Sequence, residues 1–137
     1  MIYFEPEEIQ YYERMSPKLL YALDKFRELC GKPVYVSPAE GATWRPLSSS
    51  YHSCLPERNK QSWAIDVFPT CAPWEAFISA LSVPEINGIG LYPLWRYKDL
   101  KFGMHIDIRN TKRVIWIEKI HKQYDTIHSF SDLGGLI

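Results

Sequence analysis

The sequence predicts an α+β fold, a single domain over residues 1–137 with a mainly antiparallel sheet packed against two or more helices. Two observations point there. The elements run helix, strand, long loop, strand, helix and then a series of strands, and strands gathered after helices favour a largely antiparallel sheet. A chain of 137 residues, 46% apolar and 23% charged, has the composition of a globular protein and can bury a core without staples.

The first helix opens at Ser16-Pro17, where serine suits the N-cap and proline the first helical position. Leu19, Leu20, Leu23, Phe26 and Leu29 give it one apolar face, and Gly31 followed by Pro33 stops it. Val34-Tyr35-Val36 is β-branched and aromatic and reads as a strand. Residues 37–62 lack periodicity and are rich in Ser, Pro and Gly, but Trp44, Tyr51 and Leu55 supply the bulk to order such a loop. Trp63 to Phe68 is a strand that carries Asp66 among apolar neighbours, and Pro69 ends it. Pro73 starts a second helix, with Trp74, Phe77, Ile78 and Leu81 spaced as its buried face. Asn87-Gly88 marks a turn before a strand from Ile89 to Tyr92, in which Gly90 suits a close backbone approach. Met104 to Ile108 alternates, so His105 and Asp107 share one face. Val114 to Ile117 is expected to return as its hairpin partner. After Glu118 the pattern is mixed, and the end, SDLGGLI, carries no strong signal.

Sixteen basic and sixteen acidic residues cancel, so no long-range field favours nucleic acid or an anionic membrane. The N-terminus has no secretory pattern, and no run approaches the roughly 20 apolar residues of a membrane span. The expectation is synthesis in a cytosol. Cys30, Cys54 and Cys71 are too few and scattered for a disulfide framework, and Cys30 reads as a buried thiol. Five Trp and nine Tyr either fill the core or line a groove for an extended substrate.

Chemistry concentrates in three places. His52 lies in the Ser-rich loop, Asp66 in an apolar strand, and His105 on the strand of Asp107. A buried carboxylate needs a cation, a metal or donors, because leaving it unpaired costs several kcal/mol. A salt bridge with Arg45 or Arg109 would satisfy Asp66. So would zinc, since two imidazoles and a carboxylate leave a fourth position open for catalysis. Cys54, two residues after His52, is a weaker alternative ligand.

In order, Ser50-Tyr51-His52, Ala64-Ile65-Asp66 and His105-Ile106-Asp107-Ile108-Arg109 resemble the zinc D-alanyl-D-alanine carboxypeptidase and L,D-endopeptidase superfamily, to which the hedgehog signalling domain is structurally related. Trp44-Arg45-Pro46 and the glycine-rich Gly88 to Pro93 resemble segments that lead to the first and last ligands. The resemblance implies Zn2+ held by His52, Asp66 and His105, and hydrolysis of peptide bonds in peptidoglycan stem peptides. It also implies a phage endolysin or a wall-degrading virion component, acting after lysis or alongside other virion proteins. Two features depart from it: His52 and Asp66 are farther apart than is usual, so SCLPERNKQS is expected to bulge away from the site, and Phe102-Gly103-Met104 offers no glutamate shortly before His105. Asp107 is therefore expected as general base, or as a partner behind His105, while Arg45 or Arg109 holds a substrate carboxylate; Arg109 has the alternative of pairing with Asp107 or an exposed acid. In His-x-His members of the superfamily the second position can be the ligand, so Asp107 is the other candidate, and His105 is favoured because imidazole is the commoner zinc donor. The other reading is a virion structural or binding protein that keeps this fold without turnover.

Overall fold

The computed structural model describes residues 1–133, so Gly134 to Ile137 of the SDLGGLI tail, and that end of the expected domain, lie outside the described residues. Two α-helices, α1 (Pro17–Cys30) and α2 (Pro73–Leu81), accompany six strands: β1 (Val34–Val36), β2 (Ala64–Pro69), β3 (Gly88–Tyr92), β4 (Gly103–Asp107), β5 (Val114–Ile120) and β6 (Gln123–Thr126). The strands form one sheet in the order β1-β2-β4-β3-β5-β6, antiparallel throughout except between β3 and β5. The α+β class is as expected.

The two faces of this sheet differ in kind. Ile65, Val67, Ile89, Leu91, Met104, Ile106 and Ile117 share one buried cluster with Leu19, Leu23 and Phe26 of α1 and with Ala76, Phe77 and Ala80 of α2. Period-two alternation then sends Asp66, His105, Asp107, Gly90 and Trp116 to the opposite face. The loop over residues 37–62 meets that second face.

Three expectations change. Val114 to Ile117 does not pair with β4 but runs parallel to β3, with Gly90 opposite Trp116. Both edges of β4 are already taken, by β2 and β3, so the returning strand pairs one place further out, along the edge that β3 leaves free. The buried face of α2 is Ala76, Phe77 and Ala80, whereas Trp74 and Ile78 are 60% and 42% exposed. Alanines at i and i+4 let the helix approach closely while contributing little to an apolar pattern. In α1 the face likewise turns toward Ala22 and Cys30, leaving Leu29 half exposed.

Other features follow the sequence. Gly31 takes a left-handed φ of 69° at the C-cap of α1, a conformation that costs glycine least. Burial, with Cys71 nearby, pushes the Cys30 thiol up to about 12, as fits an inert core thiol.

The reassigned face of α2 gives a direct test. Ala80→Leu should cost about 1–3 kcal/mol by overpacking, while Ile78→Ser should change stability by no more than about 0.5 kcal/mol. Urea unfolding of both variants measures this, and equal losses would restore the Trp74/Ile78 face.

Candidate metal centre

Register brings the first two chemical groups together. Asp66 of β2 stands directly opposite His105 of β4, and His105 Nδ1 lies 3.2 Å from Asp66 Oδ1. The loop contributes the third group, with His52 Nε2 at 3.3 Å from the same oxygen. One donor atom from each of His52, Asp66 and His105 lies within 4.8 Å of the others, a cluster that can hold a metal ion. His52 and Asp66 are buried, and the His105 side chain keeps 12% exposure. Cys54 is elsewhere, its Sγ turned to the Arg14 carbonyl at 3.9 Å.

The ring tautomers suit this role. His52 Nδ1 faces the Thr43 carbonyl at 3.4 Å, and the tautomer with its proton there would turn the Nε2 lone pair toward an ion. That Nε2 is buried without a hydrogen-bond partner, despite its closeness to Asp66. Burial lowers the His52 pKa, more than its neighbours raise it, and keeps the ring neutral. His105 Nε2 donates to Asp107 Oδ2 at 2.8 Å, which leaves Nδ1 for the cluster.

Charge is balanced tightly. Burial alone would raise Asp66, but the two imidazoles hold it at about 2. Burial would lower His105, yet Asp107 and Asp66 on either side raise it to about 9. Without an ion, a proton on His105 therefore bridges the two carboxylates. A divalent cation would take the place of that proton, the usual exchange when imidazole becomes a ligand.

Asp107 occupies a different position from the one expected of a general base. It is fully buried, and Arg109 binds it three times: backbone N–H to Oδ1 at 3.0 Å, Nε to Oδ1 at 2.9 Å and Nη2 to Oδ2 at 2.6 Å. Burial works against its ionisation, but Arg109 and His105 hold the carboxylate well below the usual range. Both oxygens are occupied, and the group lies on the far side of the His105 ring from Asp66. Proton abstraction from water in a cleft conflicts with this geometry, whereas fixing the His105 ring fits it. Gly88 makes room, since a Cβ there would collide with the Asp107 carboxylate.

The two arginines separate in the same way. Arg109 is committed to Asp107 and lies over the Tyr51 and Trp116 rings, which is the pairing that the sequence set beside a substrate-binding role. Arg45 stays at the rim, with Nε donating to the Gly41 carbonyl at 2.8 Å and Nη2 at 3.9 Å from Asp66 Oδ2. It borders a cleft of about 440 Å³ that reaches the cluster at Asp66, between Glu40 and an aromatic wall of Phe68, Trp95 and Tyr97.

Nor does SCLPERNKQS bulge away. Arg58 within it is buried and donates from Nη1 to the carbonyls of Ser50 and Ser53, at 2.6 and 3.2 Å, on either side of His52. Its guanidinium also covers the Tyr51 ring. Ser62 Oγ, at the other end, donates to the Thr43 carbonyl at 2.7 Å, the same carbonyl that orients His52. Sequence reasoning missed Arg58 and Thr43, because neither lies in a periodic element and Thr43 acts through its backbone.

Compared with protein-family models, characterised proteins and solved structures, the chain matches none.

Two substitutions away from the donor atoms should weaken metal binding. Asp107→Asn removes the acceptor that orients His105, and loss of such a partner typically costs 10- to 100-fold in metal affinity. Arg58→Ala frees the His52 loop and should weaken binding by about 10-fold or more. Competitive zinc titration of the folded variants gives both numbers, and unchanged affinity in Arg58→Ala would show that the insertion does not hold His52.

Proposed function

We propose that this chain is a zinc peptidase that hydrolyses peptide bonds in peptidoglycan stem peptides, as a phage lysis enzyme or a wall-degrading part of a virion. The observation that carries the reading is the convergence of His52 Nε2, His105 Nδ1 and the Asp66 carboxylate beside an open cleft. Two neutral imidazoles and one carboxylate suit zinc, and three protein donors leave one position for water or substrate. Zinc bound there would polarise a carbonyl and make water nucleophilic near neutral pH. Sequence motifs in the order of the peptidase superfamily support the same reading.

The chain's own groups divide the remaining work. Asp107 and Thr43 set the two ring orientations. Arg45, exposed at the rim, offers a planar donor pair to a substrate carboxylate. Phe68, Trp95 and Tyr97 give the peptide an apolar wall and limit water along one side of the cleft.

A second reading has one observation in its favour. Asp107 and Arg109 satisfy each other, and no glutamate stands in Phe102-Gly103-Met104 just before His105, as suits a virion binding protein that keeps the fold without turnover. Purified peptidoglycan distinguishes the two. The zinc-loaded protein should release new amino groups, lose the activity to a chelator and regain it with added zinc. His105→Ala should bind zinc poorly and cleave nothing. A crystal structure with zinc should show His52, Asp66 and His105 at about 2.0–2.2 Å from the ion. Stoichiometric zinc with no release of amino groups from walls of any type would leave the binding protein.

A further inference from the structure

We propose that Glu40 takes the proton from the attacking water. This assignment rests on the peptidase reading. The reaction needs a proton acceptor, and Asp107 is walled off behind His105 with both oxygens bound. An acceptor has to reach the space where substrate lies, which is the cleft that meets the cluster at Asp66. The acidic side chains lining that cleft are Asp66, which is a ligand, and Glu40.

Backbone geometry explains why Glu40 is held there. The Ser37 N–H donates to the Asp66 carbonyl at 2.9 Å, and the Asp66 N–H donates to the Ala42 carbonyl at 2.9 Å. The short loop between them thus has both feet on the residue that supplies a metal ligand. Glu40 is two residues from Ala42, and two residues of chain span at most about 7 Å. Arg45 Nε fixes the loop again by bonding the Gly41 carbonyl, beside Glu40. A base on a mobile tip would be useless, but this tip is tied at three points. Glu40 is exposed, and none of the ion pairs among the described residues engages its carboxylate.

The step balances as an ordinary hydrolysis. The water oxygen bonds to the peptide carbonyl carbon while one of its protons passes to a Glu40 Oε. The C–N bond then breaks with its electron pair going to nitrogen, which takes the proton back from Glu40. A free carboxyl and a free amine leave, and Glu40 is again a carboxylate.

The test compares Glu40→Gln and Glu40→Ala with the native protein at saturating zinc, on soluble peptidoglycan fragments, with zinc affinity measured separately. Glu40→Gln should keep zinc affinity within about threefold and KM within about threefold. Its kcat should fall on the order of 100- to 10,000-fold, the contribution of a general base. Formate, a small carboxylate, should restore part of the activity of Glu40→Ala. If Glu40→Gln keeps its kcat, or loses only KM, Glu40 is not the base although the peptidase reading stands. If the zinc-loaded native protein cleaves nothing, the peptidase reading fails and takes the role of Glu40 with it.

Discussion

Burying the Asp66 carboxylate in the face of a sheet is the constraint on which the rest of this structure turns. Its side chain is only 7% exposed, and desolvation would cost several kcal/mol if nothing opposed it. The sequence opposes it from both sides. Strand register puts His105 directly across, and the loop lowers His52 onto the same oxygen. Even the backbone of Asp66 is used, since its N–H and C=O hold the two feet of the 37–42 turn. The carboxylate therefore organises the cleft wall as well as the donor cluster.

Support for the cluster comes in two grades. His105 and Asp66 sit on adjacent central strands, and Asp107, Arg109 and the Trp116 and Tyr51 rings extend the brace away from the cleft. Glycine is what allows this density: a side chain at Gly88 would displace Asp107, and one at Gly90 would strike Trp116. His52 has no strand beneath it. Its position depends on Arg58, Ser62 and the Thr43 carbonyl, all drawn from the stretch between β1 and β2. Loops held by few bonds open most easily, so the His52 side is where the site is softest.

How much of this the sequence disclosed follows from the range of the forces involved. His52, Asp66 and His105 were legible because few residue types bind metals and because a carboxylate among apolar neighbours needs a partner. Strand positions were legible from alternation. The parallel placement of Val114–Ile120 was not, because it depends on which edge other strands leave free, a property of the whole sheet. β6, Gln123–Thr126, escaped because all four residues are exposed, so an edge strand with no apolar side leaves no pattern. The burial of α2 through Ala76 and Ala80 was hidden by the small size of the residues that pack. Asp107 was legible as a partner of His105 and as a partner of Arg109, but that it meets both at once depends on side-chain rotamers that alternation does not specify. Glu40 carries no local signal, and only hydrogen bonds to a strand more than twenty residues later set it near the cleft.

The polar groups left unsatisfied bear on why such a cluster persists. His52 Nε2 is buried with no hydrogen bond, a condition that costs about 1–3 kcal/mol. A purely structural solution was near at hand: a leucine or phenylalanine at position 52 would pack without that loss, and a neutral partner would relieve Asp66. Lengthening the loop between the two residues costs little, about 0.6 kcal/mol for each doubling, yet this loop also spends a buried arginine on holding the His52 segment still. A deficit at one atom, together with bonds recruited to fix the group that bears it, suits a cluster that can hold an ion. The ion would supply the missing partner to Nε2, neutralise Asp66 and release the His105 proton in one event. Stability and metal binding in this chain are thereby two readings of the same contacts.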